Sequence, residues 1–327
     1  MIRAAVDVSP LVQTRAGTAR YLKALLRELR RRDDVDISTV SFGRDDRLST
    51  LARDAVWYPF ALGRKRDAEL LHCPTYRGPV RSALPLVVTV HDLAVFRHPE
   101  AFNRWTRTYS PRVVPRVLAT ARRIIAVSEF TRRELVELLR VPDEKIRVVP
   151  NAVDDDFTRD GPASAGDYVL AVGTLEPRKN LARLVEAARR ADVELRVVGA
   201  AGWGGVDVGG NGVRWLGEVS DAELAQLYRG ARCVAYPSVY EGFGIPVLEA
   251  MACGVPVVTS RGTAMEEVAN GAAVLVDPED PAELAAGIER ASAEREALVA
   301  RGLERARAFR WDDIGGRTVA VYREALA

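Results

Sequence analysis

The chain has 327 residues, of which 48% are hydrophobic and 28% charged, and its formal net charge is +2. This length exceeds what one hydrophobic core usually serves, and the composition is that of an ordinary globular protein, so two domains are expected. The three cysteines, Cys73, Cys233 and Cys253, form no C-x-x-C pair, which argues against a disulfide framework or a zinc site.

The sequence predicts a cytoplasmic protein. No apolar run approaches the roughly 18 residues that a membrane-spanning helix needs, and the first residues indicate a β-strand rather than a signal peptide. The charge is uneven, because residues 1–160 hold 29 Lys and Arg against 21 Asp and Glu, whereas residues 161–327 hold 18 against 24. Two interpretations stay open: solvated arginines throughout, or a basic first half that contacts an anionic membrane surface or a phosphate-bearing acceptor. Nucleic acid is not an expected partner.

The first half alternates between short apolar runs and amphipathic stretches. Apolar runs predict strands at 4–8, 37–42, 70–72, 86–90, 124–127 and 145–149. Apolar residues at helical spacing predict helices at 18–32 and 129–139. A segment of acids, glycine, proline and small residues at 154–166 then indicates the linker between two domains.

The second half repeats the alternation. Strands are expected at 168–172, 194–198, 213–216, 233–236 and 256–259, and helices at 181–190, 221–229, 245–252, 281–309 and 311–326. Alternating strands and helices predict parallel sheets covered on both faces, with ligands beyond the carboxyl ends of the strands. The predicted fold class is therefore α/β, with two doubly wound Rossmann-like domains, 1–158 and 159–310, that face each other across a cleft. We expect the helix at 311–327 to cross back to the N-terminal domain.

The densest motif follows the strand at 233–236. Two glycines, Gly242 and Gly244, lead into a helix that begins at Ile245, and free N–H groups at a helix start attract phosphate. Two carboxylates flank this turn, Glu241 before the helix and Glu249 within it, and carboxylates accept hydrogen bonds from vicinal hydroxyls. The segment is a candidate diphosphate cradle; the alternative is a tight turn that serves only helix packing.

The spacing of these two acids resembles a known motif. Glu241, seven residues and then Glu249 are similar to the E-x7-E motif of retaining glycosyltransferases, in particular glycosyltransferase family 4. The resemblance implies the two-domain GT-B architecture and transfer of a sugar from a nucleotide-diphosphate donor with retention at the anomeric carbon. It also implies that Glu241 binds hydroxyls of the donor sugar, that Glu249 binds the ribose, and that the backbone of Phe243, Gly244 and Ile245 meets the sugar and the diphosphate.

A second segment, 172–180, lies between a strand and a helix and contains Gly173, Arg178 and Lys179. Adjacent cations in such a loop can neutralise a diphosphate leaving group, although alone they indicate an ordinary exposed basic pair. The segment resembles the family's G-x5-K-N segment, whose basic residues hold the donor phosphates. By the same resemblance, the turn at 216–221, with Val219, lies by the nucleotide base.

The first half offers two further candidates. Gly17 stands at a helix start, where its backbone can approach a phosphate, and it resembles the family's glycine-rich turn, although Ala19 replaces a second glycine there. A plain helix N-terminus is the alternative. His91 ends a strand, and with Asp92 it resembles the family's H-D-x motif beside the donor sugar. Asp92 is expected to fix the local turn or to orient the histidine.

We expect no metal ion and no other cofactor. A metal-dependent transferase holds a divalent cation with a D-x-D pair. This sequence pattern occurs at Asp34 to Asp36 and at 154–156. Neither pair runs from a strand into a glycine-rich loop, so both are interpreted as solvated turn acids. Arg178, Lys179 and helix dipoles would then neutralise the diphosphate.

The expected donor is GDP-mannose, because the turns at 198–204 and 240–246 look most like those of bacterial mannosyltransferase-like members that build polysaccharides or glycolipids. UDP-glucose and dTDP-rhamnose stay open as donors.

No residue resembles a positioned nucleophile, which favours a front-face mechanism. The alternatives are a sugar-nucleotide epimerase or phosphorylase of similar shape, or an inactive nucleotide-binding subunit. The acceptor, a glycan or a lipid-linked group, is not identified, and peripheral contact with the inner face of the membrane is a further expectation.

Overall fold

The computed structural model describes residues 1–13, 17–64, 67–202 and 212–327. The chain divides into two units, Met1–Asn151 with Trp311–Ala327, and Ala152–Arg310. The second unit therefore begins earlier than the predicted residue 159, because the intervening segment packs within it. The Val153 N–H donates to the Phe309 carbonyl at 3.2 Å, and the Phe157 ring meets the Tyr228 ring edge-on at 5.8 Å.

The first unit is built on a parallel sheet of six strands in the order β2-β1-β3-β4-β5-β6. Short apolar runs form these strands, and β3 and β4 are buried along their whole length, as expected for a sheet covered on both faces. The strands are β1 (Ile2–Asp7), β2 (Val35–Val40), β3 (Leu70–Cys73), β4 (Leu86–Val90), β5 (Arg123–Ala126) and β6 (Ile146–Val148).

Helices cover this sheet on both faces. Their bounds are α1 (Pro10–Gln13), α2 (Gly17–Leu29), α3 (Arg47–Ala52), α4 (Ala94–Arg97), α5 (Arg104–Thr120) and α6 (Glu129–Leu139). A π-helix, Arg53–Ala61, continues α3, and 3-10 turns lie at Leu62–Arg64, Pro99–Ala101 and Asp143–Lys145. The C-terminal helix of the chain, Trp311–Leu326, also packs in this unit against α2 and strands β3 to β5.

The second unit repeats the architecture with a parallel sheet in the order β12-β11-β10-β7-β8-β9. Its strands are β7 (Tyr168–Val172), β8 (Glu194–Val198), β9 (Val213–Gly217), β10 (Cys233–Tyr236), β11 (Val257–Ser260) and β12 (Val274–Val276). Its helices are α7 (Leu181–Arg190), α8 (Asp221–Gly230), α9 (Ile245–Ala252), α10 (Ala264–Ala269), α11 (Pro281–Ala293) and α12 (Arg295–Ala306), with a 3-10 turn at Pro177–Lys179. The terminal helix of the first unit is α13 (Trp311–Leu326).

In each sheet, successive strands of the chain are added first on one side of the starting strand and then on its other side. In the second unit the chain runs outward from β7 through β8 to β9, returns to β10, and continues through β11 to β12 on the other side. Ligands of doubly wound sheets bind beyond the carboxyl ends of the strands at this switch point, here between β7 and β10. The predicted fold class, two Rossmann-like α/β domains, is confirmed.

The predicted single helix at 281–309 is wrong. The structure contains two helices there, because α11 ends at Ala293 and Glu294 has φ −95° and ψ 18°, outside helical geometry. Residues 203 and 204 of the predicted turn at 198–204 lie outside the described part of the chain. Within that part, no helix combines the length and hydropathy needed to cross a bilayer.

Candidate functional site

The candidate site of the second unit lies where two loops leave the switch point of its sheet. Cys233 of β10 stands opposite Val169 of β7, and this register brings the ends of the two strands, Tyr236 and Val172, level with each other. The loop after β7 holds Arg178 and Lys179, and the loop after β10 holds Glu241. Segments more than 60 residues apart in sequence therefore meet side by side.

Lys179, Tyr236 and Glu241 form a closed triangle of hydrogen bonds. The ammonium of Lys179 lies 2.5 Å from Glu241 Oε1 and donates to the Tyr236 hydroxyl at 2.6 Å. That hydroxyl in turn donates to Glu241 Oε1 at 3.1 Å. The Lys179 and Glu241 side chains are each only 11% exposed, so the contact is a mostly desolvated ion pair.

Arg178 completes the cluster from the other side. Its Nη1 lies 3.0 Å from Glu241 Oε2, so each oxygen of that carboxylate faces a cation. Its Nε and Nη2 donate to the two oxygens of Glu176 at 3.1 and 3.0 Å. The carboxylates of Glu176 and Glu241 thus fix the plane of the Arg178 guanidinium from two sides. Together with Lys179, these groups carry two positive and two negative charges, so the cluster has no net formal charge.

The electrostatics of the cluster keep it ionised. Burial raises the pKa of Glu241, but the charges of Arg178 and Lys179 outweigh burial and bring the pKa down to about 2. Burial lowers the pKa of Lys179, and Glu241 more than restores it, so the net direction is upward. The pKa of Tyr236 is raised to about 12, first by burial and then by Glu241. At neutral pH the carboxylate is therefore charged and the phenol is neutral.

Glycines after β7 and β8 make room for Lys179. Gly173 has φ +148°, and a Cβ there would stand 3.2 Å from Lys179 Cε. Gly199 has φ +149°, and a Cβ there would stand 2.1 Å from the Gly173 carbonyl oxygen. The loop and the lysine stem therefore pack against bare backbone, a closeness that side chains at these positions would prevent.

The start of α9 presents backbone rather than side chains. Gly244 has the left-handed φ +99°, and a Cβ there would lie 2.7 Å from Met265 Cγ. The side chain of Phe243 turns into the unit and meets the Phe309 ring edge-on at 5.9 Å. Ile245 and Pro246 open the helix, and proline near its first position costs no intrahelical hydrogen bond. This geometry suits a backbone cradle of the predicted kind at residues 242 to 245.

The other predicted donor residues have separate surroundings. Glu249 lies within α9, is 1% exposed and accepts a hydrogen bond from the Tyr228 hydroxyl at 2.8 Å. Val219 is half-buried in the turn between β9 and α8, and Ser220 beside it caps α8 in a capping box with Glu223. Both roles that the sequence predicts for Glu249 and Val219 stay predictions.

The first unit carries its candidates at the carboxyl edge of its sheet. His91 follows β4, its Nε2 lies 2.9 Å from the Pro74 carbonyl oxygen, and its ring meets the Tyr21 ring edge-on at 4.7 Å. Burial lowers the pKa of His91, so the ring is neutral at neutral pH. Asp92 accepts a hydrogen bond from the Ala94 N–H at 3.0 Å, which fixes the local turn as predicted. Gly17 is exposed at the first residue of α2, with open space where a Cβ would stand.

A surface cavity of about 570 Å³ lies elsewhere in the first unit. It is lined by the start of β4, the end of α5 and the end of α13, and includes Arg122 and Lys145. It opens at the amino edge of the sheet, the edge opposite to His91, and holds none of the predicted residues.

Asp34 of the first D-x-D pair takes part in ion pairs, and the three cysteines are buried. Asp34 pairs with Arg32 at 2.9 Å and with Arg323 at 2.6 Å. Among the described residues, no three His, Cys, Asp or Glu side chains are grouped as metal ligands. Cys73, Cys233 and Cys253 are free and buried.

Sequence reasoning missed four supporting side chains. Tyr236 bridges Lys179 and Glu241, Glu176 orients Arg178, and the hydroxyl of Tyr228 fixes Glu249. Tyr21 packs on His91. Two of them could have been found from the sequence. Tyr236 ends a strand five residues before Glu241, and Glu176 stands two residues before Arg178.

Comparison with known proteins identifies the family of the chain. Residues 154–307 match the family described as Glycosyl transferases group 1, and residues 15–157 match Glycosyltransferase Family 4. O-antigen chain mannosyltransferase B of Escherichia coli is 34% identical over 282 residues, which cover 78% of this chain and 74% of that protein. MMP alpha-(1->4)-mannosyltransferase of Mycolicibacterium hassiacum is 31% identical over 299 residues, which cover 81% and 72%.

A solved structure shows the same fold. Sucrose-phosphate synthase from Thermosynechococcus elongatus superposes with a TM-score of 0.79 at 21% identity, over 99% of both chains. Since both sheets, the motif block and the relatives agree, the predicted family is confirmed. The chain belongs to glycosyltransferase family 4, and it is a glycosyltransferase built from the two Rossmann-like domains of the GT-B fold.

Proposed function

We propose that this glycosyltransferase moves mannose from GDP-mannose to a hydroxyl acceptor, such as a glycolipid or a growing polysaccharide, with retention and without a metal ion. The observation that carries the proposal is the buried cluster of Arg178, Lys179, Tyr236 and Glu241 at the switch point of the second sheet. It puts two cations and the Glu241 carboxylate beside the glycine-rich start of α9, and this combination supports binding of a nucleotide-diphosphate sugar.

The choice of donor rests on relatives. Two proteins that are 34% and 31% identical to this chain are named mannosyltransferases. In the proposed complex Arg178 and Lys179 bind the diphosphate, Glu241 binds hydroxyls of the mannose, and Glu249 binds the ribose. The backbone of residues 242 to 245 closes on the diphosphate. UDP-glucose and dTDP-rhamnose are the competing donors.

The proposed reaction proceeds on one face of the sugar. The bond between the anomeric carbon and the phosphate oxygen breaks, the acceptor oxygen bonds to the same face, and the acceptor proton moves to the departing phosphate. Arg178 and Lys179 stabilise the charge that develops on that phosphate, and helix-start N–H groups add to this stabilisation. Glu241 is held ionised by a pKa of about 2, so it accepts hydrogen bonds and has no proton to give.

A thermal-shift panel of GDP-mannose, UDP-glucose and dTDP-rhamnose, with and without EDTA, tests donor and metal together. A donor present at about 100 times its dissociation constant should stabilise the protein by roughly 2.7 kcal/mol. We expect GDP-mannose to give the largest shift and EDTA to leave it unchanged. A larger shift with another donor, or a shift lost with EDTA, would overturn that part of the proposal.

Product NMR in the first minutes of reaction tests stereochemistry. We expect the linkage to keep the donor's anomeric configuration, and an inverted linkage would exclude the one-face mechanism. Formation of an epimer of the donor without transfer to any acceptor would favour an epimerase instead.

We also propose that the first unit contacts an anionic membrane surface at the inner face of the membrane. That unit carries 30 Lys and Arg against 20 Asp and Glu, whereas the second carries 17 against 25. A lipid-linked acceptor would then be reached at the surface where it resides. If the fraction of protein that co-sediments with vesicles depends on neither the anionic lipid content nor the salt concentration, this contact is contradicted.

A further inference from the structure

The polarity of one helical segment of the first unit is inverted. The segment consists of α3, the π-helix Arg53–Ala61 and the turn Leu62–Arg64, which follow one another without a break. The side that packs against the rest of the unit includes Arg53 and Asp54, both 0% exposed. The opposite side carries four large apolar side chains that face solvent. We call them the apolar stripe: Leu48 (80% exposed), Leu51 (45%), Val56 (58%) and Phe60 (57%).

The helical geometry places the four side chains in one row. Leu48 and Leu51 are three residues apart in α3, where that spacing returns to the same face. Val56 and Phe60 are four residues apart in the π-helix, whose turn takes about 4.4 residues, so they too are neighbours. The buried members of the π-helix, which include Tyr58, fall on the other side.

The two buried charged side chains, Arg53 and Asp54, form hydrogen bonds inside the unit, and these bonds fix which side of the segment faces solvent. Arg53 donates to the Phe42 carbonyl and to Thr50 Oγ1, each at 3.1 Å. Asp54 accepts from Arg77 and from the indole N–H of Trp105, at 3.1 and 3.0 Å. Rotation of the segment to hide the stripe would break all of these contacts. The stripe is therefore a permanent exposed apolar row, a feature that marks interaction surfaces.

A basic row lies beside the stripe. The bond from Trp105 to Asp54 joins α5 to the π-helix, and both elements pack into one core cluster on the same face of the sheet. The exposed side of α5 includes four arginines, and the helix has no acidic residue. Trp105 itself is 43% exposed. The exposed arginines of α5 are Arg104, Arg107, Arg112 and Arg116, and Arg64 ends the segment that carries the stripe. Arg44 precedes that segment beside two exposed acids, Asp45 and Asp46.

We infer that the apolar stripe inserts into the headgroup region of an anionic bilayer while the arginines of α5 bind the lipid phosphates. A row of single apolar side chains beside a basic row has the chemistry of an interfacial helix, which lies in the membrane surface rather than across it. The excess of 30 basic over 20 acidic residues in this unit fits the same anionic surface. The inference rests on the proposed membrane contact and names the residues that make it.

Co-sedimentation of the full chain tests the stripe. The vesicles are phosphatidylcholine alone or phosphatidylcholine with about 30 mol% phosphatidylglycerol, an anionic lipid. We expect binding only to the anionic vesicles, a loss of about tenfold or more in the V56S/F60S variant, and wild-type binding in L326S. Leu326 is the control, because it is a 38% exposed leucine in the same unit that stands at the end of α13 and is not a member of the stripe.

The outcomes separate the two claims. If V56S/F60S binds anionic vesicles as the wild type does, the inferred insertion of the stripe is overturned, and the membrane contact is purely electrostatic. No binding of the wild type to anionic vesicles would overturn the membrane contact and the stripe together, whereas the donor shifts would still test the transferase. A dimer of the wild type that becomes a monomer in V56S/F60S, measured by light scattering, would reassign the stripe to a protein interface. Equal melting temperatures of the variants would verify that each is folded.

Discussion

The ammonium of Lys179 lies 2.5 Å from Glu241 Oε1, although 62 residues separate the two in sequence. Arg178 holds the second oxygen of the same carboxylate at 3.0 Å. Both cations of the candidate site are thus paired within the protein. In the proposed complex a diphosphate shares Lys179 and Arg178 with Glu241, and the pairing keeps the cations positioned before the donor arrives.

Removal of Lys179 should lower both activity and stability. In Lys179→Ala, Glu241 keeps Arg178 as its cation and the Tyr236 hydroxyl as a donor, but the proposed diphosphate site loses one of its two cations. We therefore expect kcat/KM to fall about 100-fold or more. The free energy of unfolding should fall by about 3 kcal/mol, because a buried pair loses one partner. Arg190→Ala on α7 is the control, since Arg190 and Glu186 form an exposed pair, 51% exposed on each side. It should change stability by less than about 0.5 kcal/mol. Equal losses in both variants, measured by urea unfolding, would contradict the prediction.

Glu241 should make the stability of the second unit depend on acid. Its pKa is about 2 in the folded protein against an ordinary 4.5, so its charge stabilises the fold above pH 4.5. This contribution, on the order of 3 kcal/mol, should be lost as the pH falls from 4.5 toward 2. Glu241→Gln should be less stable than the wild type at pH 7, and the difference should shrink through that window. A difference in melting temperature that stays constant with pH would rule out the depressed pKa.

Two glycines with left-handed backbone should differ sharply in their tolerance of alanine. Gly199→Ala would bring a Cβ to 2.1 Å from the Gly173 carbonyl oxygen, whereas Gly262, with φ +76°, has open space around it. We expect Gly262→Ala to cost about 1 kcal/mol through backbone strain alone. Gly199→Ala should cost roughly 3 kcal/mol, and it should also weaken the donor-induced thermal shift, because the loop that carries Lys179 must move. Equal melting temperatures for the two variants would argue against this packing.

The buried hydroxyl of Tyr322 should stabilise the first unit through His72. Tyr322 OH lies 2.7 Å from His72 Nδ1, and burial lowers the pKa of His72 to about 3, so the imidazole is neutral at pH 7. Tyr322→Phe would leave that nitrogen buried without its partner, and we expect a loss of about 1–3 kcal/mol. Tyr109→Phe is the control, because the Tyr109 hydroxyl is buried with no hydrogen-bond partner among the described residues. It should be neutral or slightly stabilising, and a greater loss in Tyr109→Phe than in Tyr322→Phe would refute the assignment.

Local sequence was sufficient where its signals agreed with the fold. The helix over Ile245–Ala252 was predicted with its observed bounds, because a glycine, an early proline and an apolar run all indicate one helix start. The helices Glu129–Leu139 and Leu181–Arg190 were likewise predicted with their observed bounds. Their regular spacing of apolar residues leaves one face to bury, and this face is what the sheets cover.

Local sequence was misleading where tertiary contacts outweighed it. Helix α5 was not predicted, since Pro111 and Pro115 each remove a helical hydrogen bond, yet Val114 and Val117 are buried in the core of the unit. The π-helix Arg53–Ala61 was missed for a related reason. It buries its two charged residues, Arg53 and Asp54, together with Tyr58 and Pro59, and it exposes Val56 and Phe60. Buried charges and exposed apolar side chains are the reverse of the pattern on which sequence prediction depends.

The sequence by itself determined the two Rossmann-like units, the family, and the residue types of the candidate site, because strand and helix periods and the E-x7-E spacing are local properties of the chain. Only the tertiary structure decided that Lys179 and Arg178 pair with Glu241, that Tyr236 and Glu176 hold them, and that the apolar stripe faces outward. These contacts join loops after different strands, or depend on which side of a helix is buried. The register of the sheet and the packing of the core set both, and no short stretch of sequence contains either.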